Sequence, residues 1–582
     1  MAGQKVSLVL LETSGNQAYI YATNKLRENV GASELTRLAG TKWVLDAVQS
    51  ETQVQSETHQ ELYNDPNQLR AMLTNVETNG RIEDGALVEV VEAASGKAVL
   101  LVRDPKTAKR IVSKVTLKAL TDAPGLDIKG VVVEFDWSKS GSVADALRKA
   151  YRRYEELRTS RPGPESRFLR LPVVAQCATS GMPASTVEKN EAFSMQTSAK
   201  RAMAHEIRRQ KTEVGAPAGW KFADALDDQR WLAVVHADGN GLGQVFLHFE
   251  DFCNDDRGAV TNRNYVDTLR AFSCAVDVCT HKAFEKAVES IVPCVKDEDN
   301  NEKTLPMRPL VLGGDDLTVM CDAAIAFPFA ERYLAEFEAE TANDEVIRPI
   351  AKRMTNGKMN DAWLSACAGI AVVKSHYPFF AAYSLAEELV ASAKTSKKKL
   401  LQKDDGETGW SWPSSALDFL VLHDSSSMEL KDIRDKLVLD DGETLLYGGP
   451  YVVTGQDQFK GLDQQQKVWT EFHAWTRLKD RAEVLRKKDR EGKREIPNSQ
   501  VHELRAALFG GRASADRALR LIAHRYQAVS GLLEQGFVSL FASDTMLDGS
   551  NVYVTQLLDA MEVENFLSVE ENSVPQGKEK GD

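Results

Sequence analysis

The chain has 582 residues, of which 43% are hydrophobic and 27% are charged. This length predicts roughly two to four domains, and the composition is typical of a globular protein. A net charge of −13 excludes nonspecific nucleic-acid binding by the surface as a whole. No apolar stretch reaches the roughly 18 residues of a transmembrane helix, so we expect no membrane contact and a cytoplasmic location.

The N-terminal part of the chain alternates apolar runs with segments of helical periodicity. Two of the apolar runs flank the short turn AASG, which is typical of a β-hairpin, and one helix opens with an Asp cap and a proline. The predicted elements are a strand at 6–12, a helical segment at 18–48, strands at 86–92 and 97–103, a helix at 104–120 and a strand at 130–137. The order β-α-β-β-α-β indicates a ferredoxin-like unit.

The same order occurs again further along the chain. A strand leads into the loop DGNGLG, and two apolar strands flank the tight turn GGDD. The predicted elements are a strand at 231–237, helix at 262–291, strands at 308–312 and 317–321, a helix at 326–340, a strand at 365–373 and a helix at 381–399. One more strand is expected within 410–424, and the region 458–567 is predicted to be almost wholly helical.

The two halves therefore indicate an internal duplication. Aligned by their apolar strands, Ser14-Gly15-Asn16 takes the place of Asp238-Gly239-Asn240, and AASG takes the place of GGDD. On this alignment the first copy keeps the turn signals but has no acids at either place. We therefore predict one degenerate copy and one catalytic copy.

Three carboxylates carry the chemical argument. Asp238 ends a predicted strand, and Asp315 and Asp316 lie at the tip of the hairpin. The first strand and the first strand of the hairpin are expected to be neighbours, so the three acids should converge. Clustered carboxylates repel one another unless cations lie between them. The sequence therefore predicts a site for two ions, Mg²⁺ or Mn²⁺, that catalyses nucleotidyl transfer from a nucleoside triphosphate.

The residues around these acids suit a phosphate site. Gly313 and Gly314 allow a tight turn, and the loop of Gly239, Asn240 and Gly241 leads into a helix whose free N–H groups can bind a triphosphate. Each motif alone is also typical of an ordinary turn. Lys394 is expected to contact the triphosphate, although lysines are also favoured at a helix C-terminus without any ligand. His236 lies on the same face as Asp238, but a packing role is favoured.

The motif LGGDDLTVM after VVHADGNGLG resembles the large palm-containing subunit of type III CRISPR effector complexes, a polymerase or cyclase family. The segments NKLRENVGASEL, GIAVVKSHYPFFAAYSLAEELVASAK and SSALDF are similar to other parts of its two palms, so the resemblance covers roughly residues 6–425. It implies conversion of ATP to cyclic oligoadenylate in antiviral defence, with a second ATP near the degenerate palm, where Ser33 matches the family's serine. It also implies activation by target RNA and, through the C-terminal helices, contact with other effector subunits and guide RNA.

The resemblance suggests an α+β architecture of four parts. These are a degenerate first palm at 1–160, a connecting subdomain at 161–228, a catalytic GGDD palm at 229–425 and a mainly helical C-terminal domain at 426–582 with a disordered tail. Many relatives begin with an HD nuclease domain, which we do not find, so we expect no DNA cleavage by this chain. Cys177 is the only cysteine between the palms, so we expect no structural zinc there.

Three other functions remain open at this point. The chain could be a non-catalytic scaffold of an RNA-guided complex. It could be a divergent stand-alone cyclase that uses another nucleotide. A cyclase of the diguanylate type would use GTP and shares the GG-acid hairpin, but it has no degenerate twin of its palm.

Overall fold

A computed structural model describes residues 4–52, 65–168, 170–209, 214–226, 229–253, 260–294, 303–402, 409–423, 429–533, 539–545 and 549–567. The fold is mixed α+β, as the sequence predicts. None of the helices in these ranges is both long and apolar enough to cross a membrane. The predicted tail at 570–582 lies outside the described residues, as does Asp424 at the end of a predicted strand.

The first repeat follows the predicted order of elements. Its elements are β1 (Lys5–Ser14), α1 (Asn16–Ile20), α2 (Leu26–Gly40), α3 (Lys42–Thr52), α4 (Pro66–Thr74), α5 (Val76–Asn79), β2 (Val88–Ala94), β3 (Lys97–Val102), α6 (Pro105–Asp122), β4 (Asp127–Asp136) and α7 (Ser142–Ser160). The Asp104 side chain caps α6 by accepting a hydrogen bond from Thr107 N–H, as its sequence pattern predicts. The helical segment expected at 18–48 divides into three helices, α1, α2 and α3.

A connecting region of small elements follows. It contains β5 (Ala184–Glu188), β6 (Glu191–Ser194), α8 (Met195–Arg209) and β7 (Trp220–Phe222). Helix α8 packs along α2, and β7 pairs in parallel with a short strand of the second repeat. The region therefore contacts both repeats.

The second repeat contains the predicted catalytic motifs. Its elements are β8 (Trp231–Gly239), α9 (Leu242–Leu247), α10 (Phe249–Phe252), α11 (Asn262–Ile291), β9 (Lys303–Leu305), β10 (Met307–Gly313), β11 (Asp316–Asp322), α12 (Ala323–Asn343), α13 (Ile347–Met354), β12 (Ala366–Lys374), α14 (Phe379–Ala393), α15 (Ser396–Lys399), β13 (Leu401–Gln402), β14 (Trp410–Ser411) and β15 (Ala416–Val421). Its six-stranded sheet has the order β10-β11-β8-β12-β15-β17, where β17 (Tyr451–Val452) comes from further along the chain.

The sheets of the two repeats share their topology. The first has the strand order β2-β3-β1-β4, and the second begins with β10-β11-β8-β12. Each edge strand also bulges at the same distance from its turn, between Val90 and Glu92 in β2 and between Pro309 and Val311 in β10. This shared irregularity supports the internal duplication.

The strand pairing corrects the alignment of the two repeats, by two residues at the first strand and by one residue at the hairpin. Leu11 pairs with Ala98 as Ala237 pairs with Leu317, so Glu12 stands where Asp238 stands. The expectation that the first copy has no acid at this place is therefore wrong. Apolar strands of similar length do not define a register by themselves, because register is set by pairing and turn geometry.

The repeats face each other through their edge strands. Helix α2 of the first repeat packs on β10 of the second, and α11 of the second packs on β2 of the first. The guanidinium of Arg270 on α11 donates to Glu89 Oε1 at 2.5 Å and to the Val90 carbonyl at 3.0 Å. These buried contacts tie α11 of the second repeat to the edge strand β2 of the first.

The C-terminal part differs from the helical region that the sequence predicts. It contains α16 (Leu430–Asp435), β16 (Thr444–Leu445), β17 (Tyr451–Val452), α17 (Gln464–Phe472), α18 (Trp475–Arg486), α19 (Asn498–Phe509), α20 (Arg512–Ala523), β18 (Ala542–Thr545), β19 (Asn551–Val554) and α21 (Leu557–Val563). The segment at 552–554, expected in a helix, pairs with β16 and β18 instead. The sheet of the second repeat also continues past residue 425, because β17 pairs with β15.

Candidate active site

The three predicted acids lie together at one end of the second sheet. Carboxylate oxygens of Asp238, Asp315 and Asp316 all lie within 4.8 Å of one another. Among the described residues, no other group of three acidic, histidine or cysteine side chains brings its ligand atoms so close. Oxygen donors in this arrangement are those that Mg²⁺ and Mn²⁺ prefer.

The strands position the acids in a way that differs from the prediction in one respect. The neighbour of β8 is β11, the second strand of the hairpin, whereas β10 lies at the sheet edge. Leu317 pairs with Ala237, so the next position outward brings Asp316 opposite Asp238. Asp315 lies in the turn, directly before Asp316. The acids converge as predicted, but the expectation about the hairpin's first strand is wrong.

The cluster raises the pKa of two of its members. Burial raises the pKa of Asp315 to about 6, and the neighbouring Asp238 carboxylate adds to this. Burial also raises the pKa of Asp316 well above its ordinary value, together with the charges of Asp315 and Asp238. Carboxylates that share a site disfavour full ionisation unless a cation balances their charge. The electrostatics therefore favour cation binding.

Lys394 supplies one positive charge to this cluster. It follows the last turn of α14, and its ammonium group donates directly to Asp238 Oδ2. Both side chains are about one-third exposed, at 33% for Lys394 and 32% for Asp238. The lysine is thus part of the site, and its partner in the structure is an acid of the cluster.

Gly239 makes room for the acids. A Cβ atom added at this residue would lie 2.8 Å from Asp315 Oδ2 and 2.9 Å from Asp315 Cβ. Gly241 has φ +78° and caps α9, where a Cβ atom would lie 2.8 Å from Lys397 Nζ. These glycines therefore permit close packing of the acid and lysine side chains around the loop.

Asn240 points into the protein. Its side-chain NH₂ group donates to Ser365 Oγ and to the Ser414 carbonyl, both at 3.0 Å. Its backbone N–H donates to the Ser365 carbonyl at 2.8 Å. The residue fastens the loop to the segments before β12 and β15. Its structural contacts thus differ from the nucleotide contact that the sequence predicts.

The hairpin turn is held by residues of α11 that the sequence analysis did not single out. Gly314, at φ +62°, donates its N–H to Asp277 Oδ1 at 2.8 Å, and its carbonyl accepts from Thr280 Oγ1 at 2.6 Å. Polar residues three apart share one face of a helix, which is the signal by which they could have been found. Gly313 lies beside the other repeat, because a Cβ atom there would be 3.5 Å from Ser95 Cβ.

Ser33 lies at the contact between the two repeats. Its hydroxyl on α2 donates to the Leu310 carbonyl of β10. It lines a cavity of about 160 Å³ together with Arg37, Asp277, His281 and Gly313. This cavity lies beside the hairpin that carries the acids.

His236 has a packing role, as the sequence analysis favoured. Its ring is buried, with Nδ1 at 3.0 Å from Thr318 Oγ1, and it packs against Tyr383 with ring centres 5.3 Å apart. Burial lowers the pKa of His236, which favours the neutral ring. Tyr383 in turn packs against Tyr21 of the first repeat, with ring centres 4.1 Å apart. These aromatic contacts join the first repeat to the wall of the site.

Fold and site together define a palm domain, in which a strand end and a hairpin tip supply acids to one centre. Residues 231–402 match the family model described as Cas10/Cmr2, second palm domain. This part of the chain is thus a palm domain similar to the second palm of Cas10/Cmr2, and we call the two repeats the first and second palm. No curated protein sequence matches the chain.

Solved structures similar to the chain include subunits of type III effector complexes. They are a type III-B Cmr-beta complex in its apo state (10% identity, TM-score 0.44, 90% of this chain and 77% of the other), Csm1 from T. onnurineus (12%, 0.43, 90% and 64%) and a Csm1–Csm4 cassette in complex with cA4 (12%, 0.37, 70% and 57%). The chain spans little more than half the length of the last of these chains.

Proposed function

We propose that the second palm is a nucleotidyl cyclase that converts ATP to cyclic oligoadenylate, with two divalent ions held by Asp238, Asp315 and Asp316. The observation that carries the proposal is the convergence of three carboxylates within 4.8 Å inside the Cas10/Cmr2 palm. Hard oxygen donors on a strand end and a hairpin tip fit Mg²⁺ or Mn²⁺. When bound, the ions activate the attacking hydroxyl and stabilise the leaving pyrophosphate.

The surrounding residues each have a role in this proposal. Asp277 and Thr280 fix the hairpin turn through Gly314, which keeps the two hairpin acids at a constant position. Lys394 neutralises Asp238 before the metals arrive and then contacts the triphosphate. The N–H groups of Leu242 and Gly243, which open α9 just after the loop that follows Asp238, would bind phosphate oxygens.

A second ATP would occupy the contact between the palms. The cavity beside Ser33 adjoins the hairpin tip, and Arg37, which pairs with Glu34 in the structure, would turn to the phosphates of the ligand. We further propose that the chain works with other effector subunits and guide and target RNA, and that the C-terminal part contributes to this contact. Binding of target RNA would then activate cyclisation.

A product assay tests the enzymatic proposal. Purified chain is incubated with labelled ATP and Mn²⁺, with and without RNA and partner subunits, and products are identified by mass spectrometry. We expect release of pyrophosphate and cyclic oligoadenylate, both abolished by Asp315→Ala with Asp316→Ala. Consumption of GTP in place of ATP would favour a different cyclase. Absence of pyrophosphate under every condition would refute the enzymatic proposal.

The alternative is a non-catalytic scaffold. The ion pair between Lys394 and Asp238 favours it, because it neutralises part of the acid cluster without a metal ion. A scaffold would co-purify with RNA and partner subunits, and Asp315→Ala would leave both that assembly and the nucleotide pool unchanged. Turnover that depends on Asp315 rejects this alternative.

A further inference from the structure

The hairpin of the first palm carries a lysine where the second palm carries an acid. Lys97 opens β3 and pairs with Ala94 across the turn. Asp316 opens β11 and pairs with Gly313 across its turn in the same way. Because both hairpins also bulge at the same distance from the turn, Lys97 stands in the position of Asp316.

Glu12 completes this correspondence. It pairs with Lys97 between β1 and β3, as Asp238 lies opposite Asp316 between β8 and β11. Three residues after each acid, a glycine of positive φ begins the next helix, Gly15 at +65° and Gly241 at +78°. The first palm thus keeps one acid of the metal centre and replaces another by a lysine.

The ammonium group of Lys97 and the carboxylates beside it are largely shielded from solvent. Its Nζ lies 3.1 Å from Glu92 Oε2, and the side chains are only 21% and 7% exposed. Burial by itself lowers the pKa of Lys97, but Glu92, Tyr151 and Glu12 outweigh it and raise the pKa above its ordinary value. Glu12 Oε2 is buried and has no hydrogen-bond partner among the described residues. Without the ammonium, Glu92 would therefore lose its ion-pair partner, and Glu12 would keep only the weaker attraction of Arg158.

Two aromatic rings cover the ammonium group. Lys97 Nζ lies 5.5 Å from the ring centre of Tyr151 on α7 and 5.4 Å from that of Phe246 on α9. Phe246 belongs to the second palm and lies in the helix that follows the loop after Asp238. A cation at this distance from an aromatic face is stabilised by it. The lysine therefore also links the first palm to the helix that begins beside the active site.

We infer that Lys97 is a built-in cation of the first palm. Its ammonium group neutralises Glu12 and Glu92 at the place that corresponds to the metal centre of the second palm, and so it excludes a divalent ion there. The inference rests on the proposed function only in treating the acids of the second palm as metal ligands. Lys97 thereby keeps a metal ion out of the first palm, which also carries Gly96 in the place of Asp315.

Mn²⁺ binding to variants tests this inference without relying on catalysis. The parent chain carries Asp315→Ala and Asp316→Ala, so that the second palm contributes no metal centre. In this background, Lys97→Met removes the ammonium and keeps the aliphatic stem. We expect Lys97→Met to bind Mn²⁺ about tenfold more tightly than the parent, and Mn²⁺ to shift its Tm upward.

Lys114→Met is the matched control, because Lys114 forms an ion pair with Glu51 but is 43% exposed. It should leave Mn²⁺ binding and the response of Tm to Mn²⁺ unchanged. A folded Lys97→Met chain that gains no Mn²⁺ affinity overturns the inference. The inference is also overturned if the parent itself binds Mn²⁺ and Glu12→Gln abolishes this binding. That measurement does not need Lys97→Met to fold. Failure of the proposed function gives a different result. The unmodified chain would then bind Mn²⁺ no more tightly than the parent with Asp315→Ala and Asp316→Ala.

Discussion

The carboxylate of Asp277 accepts a hydrogen bond from the N–H of Gly314 at 2.8 Å and thereby ties helix α11 to the hairpin that carries two of the three acids. The hydroxyl of Thr280, one turn further along the helix, donates to the carbonyl of the same glycine. The N–H and the carbonyl of Gly314 are thus both held by one helix. The position of the acids therefore depends on the packing of α11.

Asp277→Ala should reduce nucleotide turnover while the chain remains folded. The substitution leaves the Gly314 N–H without its charged acceptor, a loss of about 1.5–3 kcal/mol for such a bond. The freed turn no longer holds Asp315 and Asp316 at a constant distance from Asp238. We expect at least a tenfold lower kcat with little change in KM, on the order of the loss from a misplaced catalytic group. Asp361→Ala, at an exposed residue, is the control, and an unchanged kcat in Asp277→Ala would contradict this role.

Gly239→Ala should disrupt the centre by steric overlap. The new Cβ atom would lie 2.8 Å from Asp315 Oδ2 and would displace that carboxylate. Mn²⁺ affinity, measured by calorimetry, is expected to fall by about tenfold or more, and turnover with it. Gly243→Ala is a matched control in the same segment, because a Cβ atom there meets no atom within 4 Å. Equal Mn²⁺ affinities for the two variants would show that Asp315 is not held against Gly239.

Lys394→Met should strengthen Mn²⁺ binding in the absence of nucleotide. The ammonium group occupies Asp238 Oδ2 and competes with a metal ion for it. Removing a partly exposed partner of this kind corresponds to roughly 1 kcal/mol, or about fivefold in affinity. Lys398→Met, at an exposed lysine of α15, serves as the comparison. Weaker Mn²⁺ binding in Lys394→Met than in Lys398→Met would refute competition between the ammonium group and the metal ion.

Stability should fall with rising pH because of a half-buried acid in α21, Glu562. Burial raises the pKa of Glu562 to about 8, and the nearby Asp559 carboxylate adds to this. An acid whose pKa is raised on folding stabilises the folded chain fully below its unfolded value of 4.5, and this contribution is lost as pH rises through the folded value. Glu562→Gln should therefore flatten the decline of Tm between about pH 5 and 8.

Thermal unfolding of the two chains across this pH range measures the effect. Glu503→Gln, at an exposed residue of α19, is expected to follow the unmodified chain. Parallel declines of Tm for Glu562→Gln and the unmodified chain would mean that another group is responsible. The test measures thermal unfolding alone, so it does not depend on nucleotide turnover.

The sequence by itself determined the order of elements in both palms and the identity of the three acids. These follow from local signals, since apolar periodicity, an Asp-Pro helix start and a Gly-Gly turn are properties of neighbouring residues. It also indicated the duplication, although its alignment is two residues out of register at the first strand and one residue out at the hairpin. The C-terminal segment at 552–554 was assigned to a helix, because its apolar residues do not distinguish a helix from a strand that pairs with distant partners.

Only the tertiary structure decided which strands are neighbours and what surrounds the acids. Pairing of β11 with β8 places Asp316 opposite Asp238, and this choice depends on long-range hydrogen bonds. The same is true of Asp277 beneath Gly314 and of Asn240 directed towards Ser365. The correspondence of Glu12 with Asp238 and of Lys97 with Asp316 likewise appears only in the strand register, because residues far apart in the chain become equivalent when the sheet is formed.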